Sequence, residues 1–144
     1  MARNNSINAL NRLFQGHHRS LVTYLADACP WTHSGDEKAS DTLAHILADQ
    51  QTLAGRIAEL IDARGGRVDP GSFPMYFTEF NLLSLDFMVG ELLHYQDEMI
   101  ASIEQIVAAL GADREARELA EETLGAARAH REALSELTMA RQSA

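Results

Sequence analysis

The sequence predicts an all-α protein, an antiparallel four-helix bundle with a long crossover between its second and third helices. Hydrophobic residues make up 46% of the 144 positions, which is enough to build the core of a single domain spanning residues 1–144. Alanine, leucine and glutamate are abundant, and β-branched residues do not cluster as they do in strands. The prolines, Pro30, Pro70 and Pro74, fall in two short regions, so long stretches of chain are free of helix breakers.

The helix bounds follow from apolar residues spaced three and four apart. This spacing predicts four helices, over residues 5–29, 37–64, 78–110 and 114–139. The connection at residues 67–76 is the longest, and it forms the predicted crossover. Because this loop is unusually apolar, we expect Phe73, Met75 and Tyr76 to pack against the bundle.

Charge and cysteine content bear on partners and location. The formal net charge is −9 without a basic stripe, which argues against nucleic acid as a partner. No apolar run approaches the roughly 20 residues of a membrane span, and the N-terminus has no signal-peptide core, so no membrane insertion is expected. Cys29 is the single cysteine, which favours a reducing, cytoplasmic setting.

Each predicted helix carries one polar residue inside its apolar face. These residues lie near mid-helix, at equivalent heights in an antiparallel bundle, and they are His17, Gln50, Gln96 and His130. An unpartnered buried amide or imidazole costs on the order of 1–3 kcal/mol, so we expect the four to meet in one buried layer. Two interpretations stay open: a hydrogen-bonded layer that fixes helix register, or a site for a metal or small ligand.

Short stretches of the chain resemble the ferritin-like superfamily. Residues 56–66, with the sequence RIAELIDARGG, are similar to the end of the second helix of bacterioferritin-like proteins. Residues 120–124 (AEETL) and 129–134 (AHREAL) are similar to their last helix. The likeness extends over nearly the whole chain and implies a ferritin-like bundle.

In that superfamily a di-iron centre is held by a Glu from each of the first and third helices and a Glu-x-x-His from each of the second and fourth. The resemblance places these positions, in chain order, at His17, Gln50, Leu53, Gln96, Ala127 and His130. His130 alone matches the family ligand, and Asp49 and Glu122 lie only at the edges of the inferred site. Iron in such a centre needs anionic oxygens, so this departure argues against ferroxidase activity.

The leading expectation is therefore a non-catalytic binding or structural protein with a buried His/Gln layer, without catalytic residues. The alternative is a metal-binding protein or metalloenzyme in which His17 and His130 hold zinc, copper or iron. Gln50 and Gln96 would share that layer, and Glu122 is a weaker candidate ligand.

Two further patterns have metal-ligand spacing. Glu91 and His94 are three residues apart, but with Glu98 they project opposite the apolar stripe, which indicates a solvated face. Phe87 on that side predicts a homodimer or larger homo-oligomer. The spacing of His45 and Asp49 is similar to that in hemerythrin-like bundles, which need paired histidines on a second helix as well.

Overall fold

The computed structural model describes residues 2–28, 37–80 and 85–143, and these residues are almost entirely helical. They form five α-helices: α1 (Ala2–His18), α2 (Leu21–Ala28), α3 (Glu37–Ala63), α4 (Leu85–Leu110) and α5 (Arg114–Ser143). A 3-10 helix spans Met75–Phe80, and the described residues contain no strand. The prediction of an all-α protein is confirmed. None of the described helices combines the length and apolar character needed to span a bilayer.

The prediction of one continuous first helix over residues 5–29 is wrong, because the helix is interrupted between α1 and α2 at Ser20. The hydroxyl of Ser20 accepts a hydrogen bond of 3.1 Å from the backbone N–H of Thr23. This is the N-cap bond of a new helix, and it competes with continuation of the preceding one. The predicted end at Cys29 lies outside the described residues.

The third helix also starts later than the predicted residue 78, since α4 begins at Leu85. The chain before it forms the 3-10 helix, in which the N–H of Phe77 donates to the carbonyl of Pro74 at 3.1 Å. The predicted packing of Met75 is wrong, because 88% of this residue is exposed. Phe77 is fully buried instead and lies against the rings of Tyr24 and Phe73.

The core consists of two hydrophobic clusters. The first cluster gathers buried residues that include Leu10, Leu13, Ile57, Ile61, Ile103, Ile106 and Ala127. The second cluster includes Leu21, Ile46, Phe77, Met88, Leu92 and Leu134. Along the chain, α1 and α5 run from the first cluster towards the second, whereas α3 and α4 run the opposite way.

Each long helix packs mainly against two others: α1 against α3 and α4, and α5 against α3 and α4. Because α3 and α4 run in the same direction, the chain must return along the length of the molecule between them. Residues 64–80 form the described part of this connection.

Part of the connection lies along α1 and is held there by side chains spaced four residues apart. Asn11 donates to the carbonyl of Arg67 at 2.9 Å and accepts from the N–H of Asp69 at 2.8 Å. Gln15 donates to the carbonyl of Asp69 at 3.1 Å, and Arg19 reaches Pro70. One face of α1 therefore supplies hydrogen-bond partners for a segment that has no regular backbone pairing.

The end of the molecule where α3 ends and α5 begins is closed by an ion pair between Arg64, just after α3, and Asp113, just before α5. Nη1 of Arg64 bonds Oδ2 of Asp113, and Nη2 lies 2.7 Å from Oδ1. Asp113 also caps α5 through a 3.4 Å bond from the N–H of Ala116. The bonds from Arg64 are the main reason that the pKa of Asp113 lies well below its usual range.

Asp113→Asn is expected to lower the free energy of unfolding at pH 7 by about 1 kcal/mol, because asparagine keeps the cap but loses the charge-assisted pair. Because the pKa of Asp113 is lower in the folded state, its ionised carboxylate stabilises the fold at any pH above the unfolded-state pKa. This stabilisation is lost as the pH falls towards the folded-state pKa. Urea denaturation should therefore give a difference in free energy of unfolding between wild type and Asp113→Asn that is constant above about pH 5 and shrinks below it. A difference that grows on acidification would contradict this assignment.

Candidate functional site in the buried polar layer

The four predicted polar residues are buried at the boundary between the two clusters. His17 is 2% exposed, Gln50 and Gln96 are 1% exposed, and His130 is 6% exposed. In each helix the polar residue separates a residue of the first cluster from one of the second. For example, His17 follows Leu13 of α1 and precedes Leu21, the first residue of α2. The predicted burial is therefore confirmed, and the polar residues divide the core into its two halves.

His17 is held by its own helix. Its Nδ1 lies 2.8 Å from the carbonyl oxygen of Leu13. A carbonyl can only accept, so Nδ1 carries the proton. Burial lowers the pKa of His17 to about 4, opposed by the bond to Leu13 and assisted by the nearby His130. The ring is therefore neutral at pH 7, and its Nε2 carries a lone pair.

Gln50 is linked to the break between α1 and α2. The hydroxyl of Ser20 donates to Oε1 of Gln50 at 2.6 Å, and Ser20 itself is fully buried. Nε2 of Gln50 is buried and has no hydrogen-bond partner within the described ranges of the chain. The serine that starts α2 therefore also connects this helix to α3.

Gln96 connects α4 to α5. Its Nε2 donates to the carbonyl oxygen of Ala127 at 2.9 Å, and the bond is buried. Ala127 occupies a position at which the family resemblance implies a glutamate ligand. The backbone carbonyl of this position accepts a hydrogen bond from the layer.

His130 connects α5 to α3 through a carboxylate at the edge of the layer. Nε2 of His130 donates to Oδ2 of Asp49 at 2.8 Å. The same carboxylate oxygen lies 3.7 Å from Nε2 of His45, whose side chain is 79% exposed. Asp49 thus lies between a buried and an exposed histidine.

Searches against protein-family models, curated proteins and solved structures find no match for this chain. The geometry of its own residues is therefore the basis for assigning a function.

That geometry does not fit a di-iron centre. The four layer residues supply imidazole nitrogens and amide groups, and most of these groups are hydrogen-bonded to other parts of the protein. Two cations need bridging carboxylates to neutralise them. Across residues 2–28, 37–80 and 85–143, no three His, Cys, Asp or Glu side chains gather closely enough to hold a metal ion.

The weaker candidate Glu122 lies away from the layer, at the surface between α3 and α5. Its two carboxylate oxygens accept hydrogen bonds of 2.7 and 2.8 Å from Arg56. These bonds hold the pKa of Glu122 below its ordinary value. A carboxylate fixed in this way is already paired with a cation.

The predicted outer face of α4 is solvent-exposed. His94 and Glu98 form an i, i+4 pair at 3.0 Å, with side chains 70% and 60% exposed. Phe87 is half exposed on the same helix. The homo-oligomer stays a prediction of the sequence.

Sequence reasoning missed Ser20, which partners one layer residue directly. A signal was present, since Ser20 precedes Leu21 in a position suited to an N-cap. The apolar periodicity continues through it from Phe14 to Leu21 and Leu25, and this favoured an unbroken helix.

Proposed function

We propose that this chain is a non-catalytic protein of the ferritin-like type, a four-helix bundle in which α1 and α2 together form the first helix. The opposed helix directions and the long connection between the parallel α3 and α4 support this topology. The resemblance of residues 56–66 and of the last helix supports the same family. In this proposal the polar layer has a structural role: it sets the register of the helices.

The observation that carries the proposal is that each layer residue bonds a different protein group. The partners are the carbonyl of Leu13, the hydroxyl of Ser20, the carbonyl of Ala127 and the carboxylate of Asp49. Three of these four bonds join different helices or a helix to an interhelical break. A slip of one helical turn would place these polar groups against apolar residues, at about 1–3 kcal/mol for each group left unpaired.

A structural layer is expected to be independent of metal. The chain treated with EDTA should melt at the same temperature as the chain supplied with zinc, copper or iron salts, since a ligand raises Tm only when it binds the native state. Thermal melting followed by circular dichroism makes this comparison. A stoichiometric metal that raises Tm, and fails to do so in His17→Ala, would instead establish the alternative of metal binding through His17 and His130.

The same layer predicts unequal effects for two histidines that both pair with a carboxylate. His130→Ala in EDTA should lower the free energy of unfolding by about 2 kcal/mol, because it leaves a cavity and breaks the bond between α5 and α3. His94→Ala is the matched control, because its exposed pair with Glu98 should contribute less than about 0.5 kcal/mol. Equal losses in the two variants, measured by urea denaturation, would exclude the structural role.

A further inference from the structure

A groove of about 320 Å³ opens between α1 and α4 beside the first cluster. Its apolar wall is formed by Leu13, Met99, Ile103 and Ile106, each at most 6% exposed. The volume lies at the lower end of the range of small-molecule sites, and such sites usually combine an apolar wall with a few fixed polar groups.

Two polar side chains of opposite hydrogen-bonding character line the same groove, His17 from α1 and Tyr95 from α4. The bond to Leu13 fixes His17 in the tautomer whose Nε2 accepts a hydrogen bond. Burial, chiefly, raises the pKa of the Tyr95 phenol, so its hydroxyl stays protonated and can donate. The ring of Tyr95 packs on aromatic and aliphatic side chains, including an edge-on contact with Phe77, and the nearby charge of Glu98 also acts on its phenol.

We propose that this groove binds a small uncharged alcohol or phenol, whose hydroxyl donates to Nε2 of His17 and accepts from the hydroxyl of Tyr95 while its apolar body lies against Met99 and Ile103. A hydroxyl is the simplest group that donates and accepts at once, as these two partners require. A hydrocarbon would leave both partners unpaired.

The charges around the groove favour a neutral ligand. Arg12 and Glu98 line it with opposite signs, and both are exposed to solvent. Neither sign of ligand charge is therefore selected. A carboxylate would lack the donor that Nε2 of His17 needs, and it would be desolvated beside a neutral ring.

Gly16, one residue before His17, has open space beside it where it lines the groove. A Cβ atom built on Gly16 meets no heavy atom within 4 Å, and the residue lines the groove. A methyl group is therefore accommodated at this position, whereas a large ring would compete with a ligand for the space. Alanine in place of this helical glycine also favours the helix.

The full chain, freed of metal with EDTA, is titrated in a calorimeter at pH 7 with para-ethylphenol and, separately, with ethylbenzene and para-ethylbenzoate. We expect one para-ethylphenol per chain, bound about tenfold more tightly than ethylbenzene because of its hydrogen bonds, and no binding of the benzoate. Equal affinity for the phenol and the hydrocarbon, or an absence of binding by the phenol, would overturn the proposal.

Substitutions at Gly16 test whether the phenol binds in this groove. Gly16→Phe should reduce the affinity for para-ethylphenol at least about tenfold, whereas Gly16→Ala should change it less than about twofold. His17→Phe, where it folds, should remove the preference for the phenol over ethylbenzene. Because the position 16 pair does not alter the polar layer, the test stands even if His17→Phe does not fold. Wild-type affinity in Gly16→Phe would overturn the proposed location.

This inference rests on the proposed function in one respect, namely that Nε2 of His17 is not occupied by a metal. The two can fail separately. Metal-dependent melting would refute the structural layer, and a failed titration of metal-free protein would refute the ligand while leaving the layer intact.

Discussion

Replacing Ser20 with alanine is expected to lower the free energy of unfolding by about 3 kcal/mol, although the substitution removes a single oxygen atom. The hydroxyl caps α2, and a lost serine cap costs about 1 kcal/mol. It also provides the recorded hydrogen bond of Gln50, whose Nε2 is already unpartnered among the described residues. The whole buried amide would then be unpaired, which adds about 1–3 kcal/mol. Urea denaturation at pH 7 measures the sum.

A second substitution separates the two contributions. In a Gln50→Leu background the amide is absent, so Ser20→Ala should cost only the cap, about 1 kcal/mol. Replacing both partners by apolar groups is often close to neutral, whereas removing one partner is not. If Ser20→Ala costs the same in both backgrounds, the bond between Ser20 and Gln50 does not contribute to stability.

Acidification is expected to destabilise the protein through His17. The unfolded-state pKa of histidine is about 6.5, whereas burial lowers the folded-state pKa of His17 to about 4. Above about pH 6.5 the ring is neutral in both states and contributes nothing. Below it the unfolded chain binds a proton that the folded chain does not, so stability falls until the folded-state pKa is reached. Protonation of this residue in the unfolded chain lowers the free energy of unfolding by about 3 kcal/mol between pH 6.5 and 4.

The measurement is the free energy of unfolding of the wild type minus that of His17→Gln, from urea denaturation between pH 7.5 and 4. The subtraction cancels most of the pH dependence that comes from the other titratable groups, because both proteins carry these groups. The difference should fall steadily below about pH 6.5. A flat difference over the whole range would mean that the folded protein protonates His17 as readily as the unfolded chain does.

The helices and the polar layer could be predicted because both depend on local periodicity. A polar residue at a position such as 96, where the series from Leu92 to Met99 requires an apolar one, is visible without knowledge of the partner. Burial of all four such residues follows from the same projection onto the helix face.

The hydrogen-bond partners could not be predicted, because each depends on the relative height of two helices. Asp49 reaches His130 across 81 positions in the chain, and Ser20 reaches Gln50 across 30. The sequence suggested that the layer residues would pair with one another, whereas they bond backbone groups and neighbours. A one-residue change in helix phase alters such pairings completely, and apolar spacing does not resolve phase that finely.

The attachment of the chain between α3 and α4 to Asn11, Gln15 and Arg19 has a consequence for native-state dynamics. These bonds are solvent-exposed, and they join two side chains of α1 and that of Arg19, just after it, to backbone groups of residues 67–70. The segment contributes only the partly buried Val68 to the first hydrophobic cluster, so it can detach with little loss of apolar burial. Opening of this kind requires far less free energy than global unfolding. Amide hydrogens here should exchange with solvent well before those of α3 and α5, and proteases should make their first internal cut in this stretch.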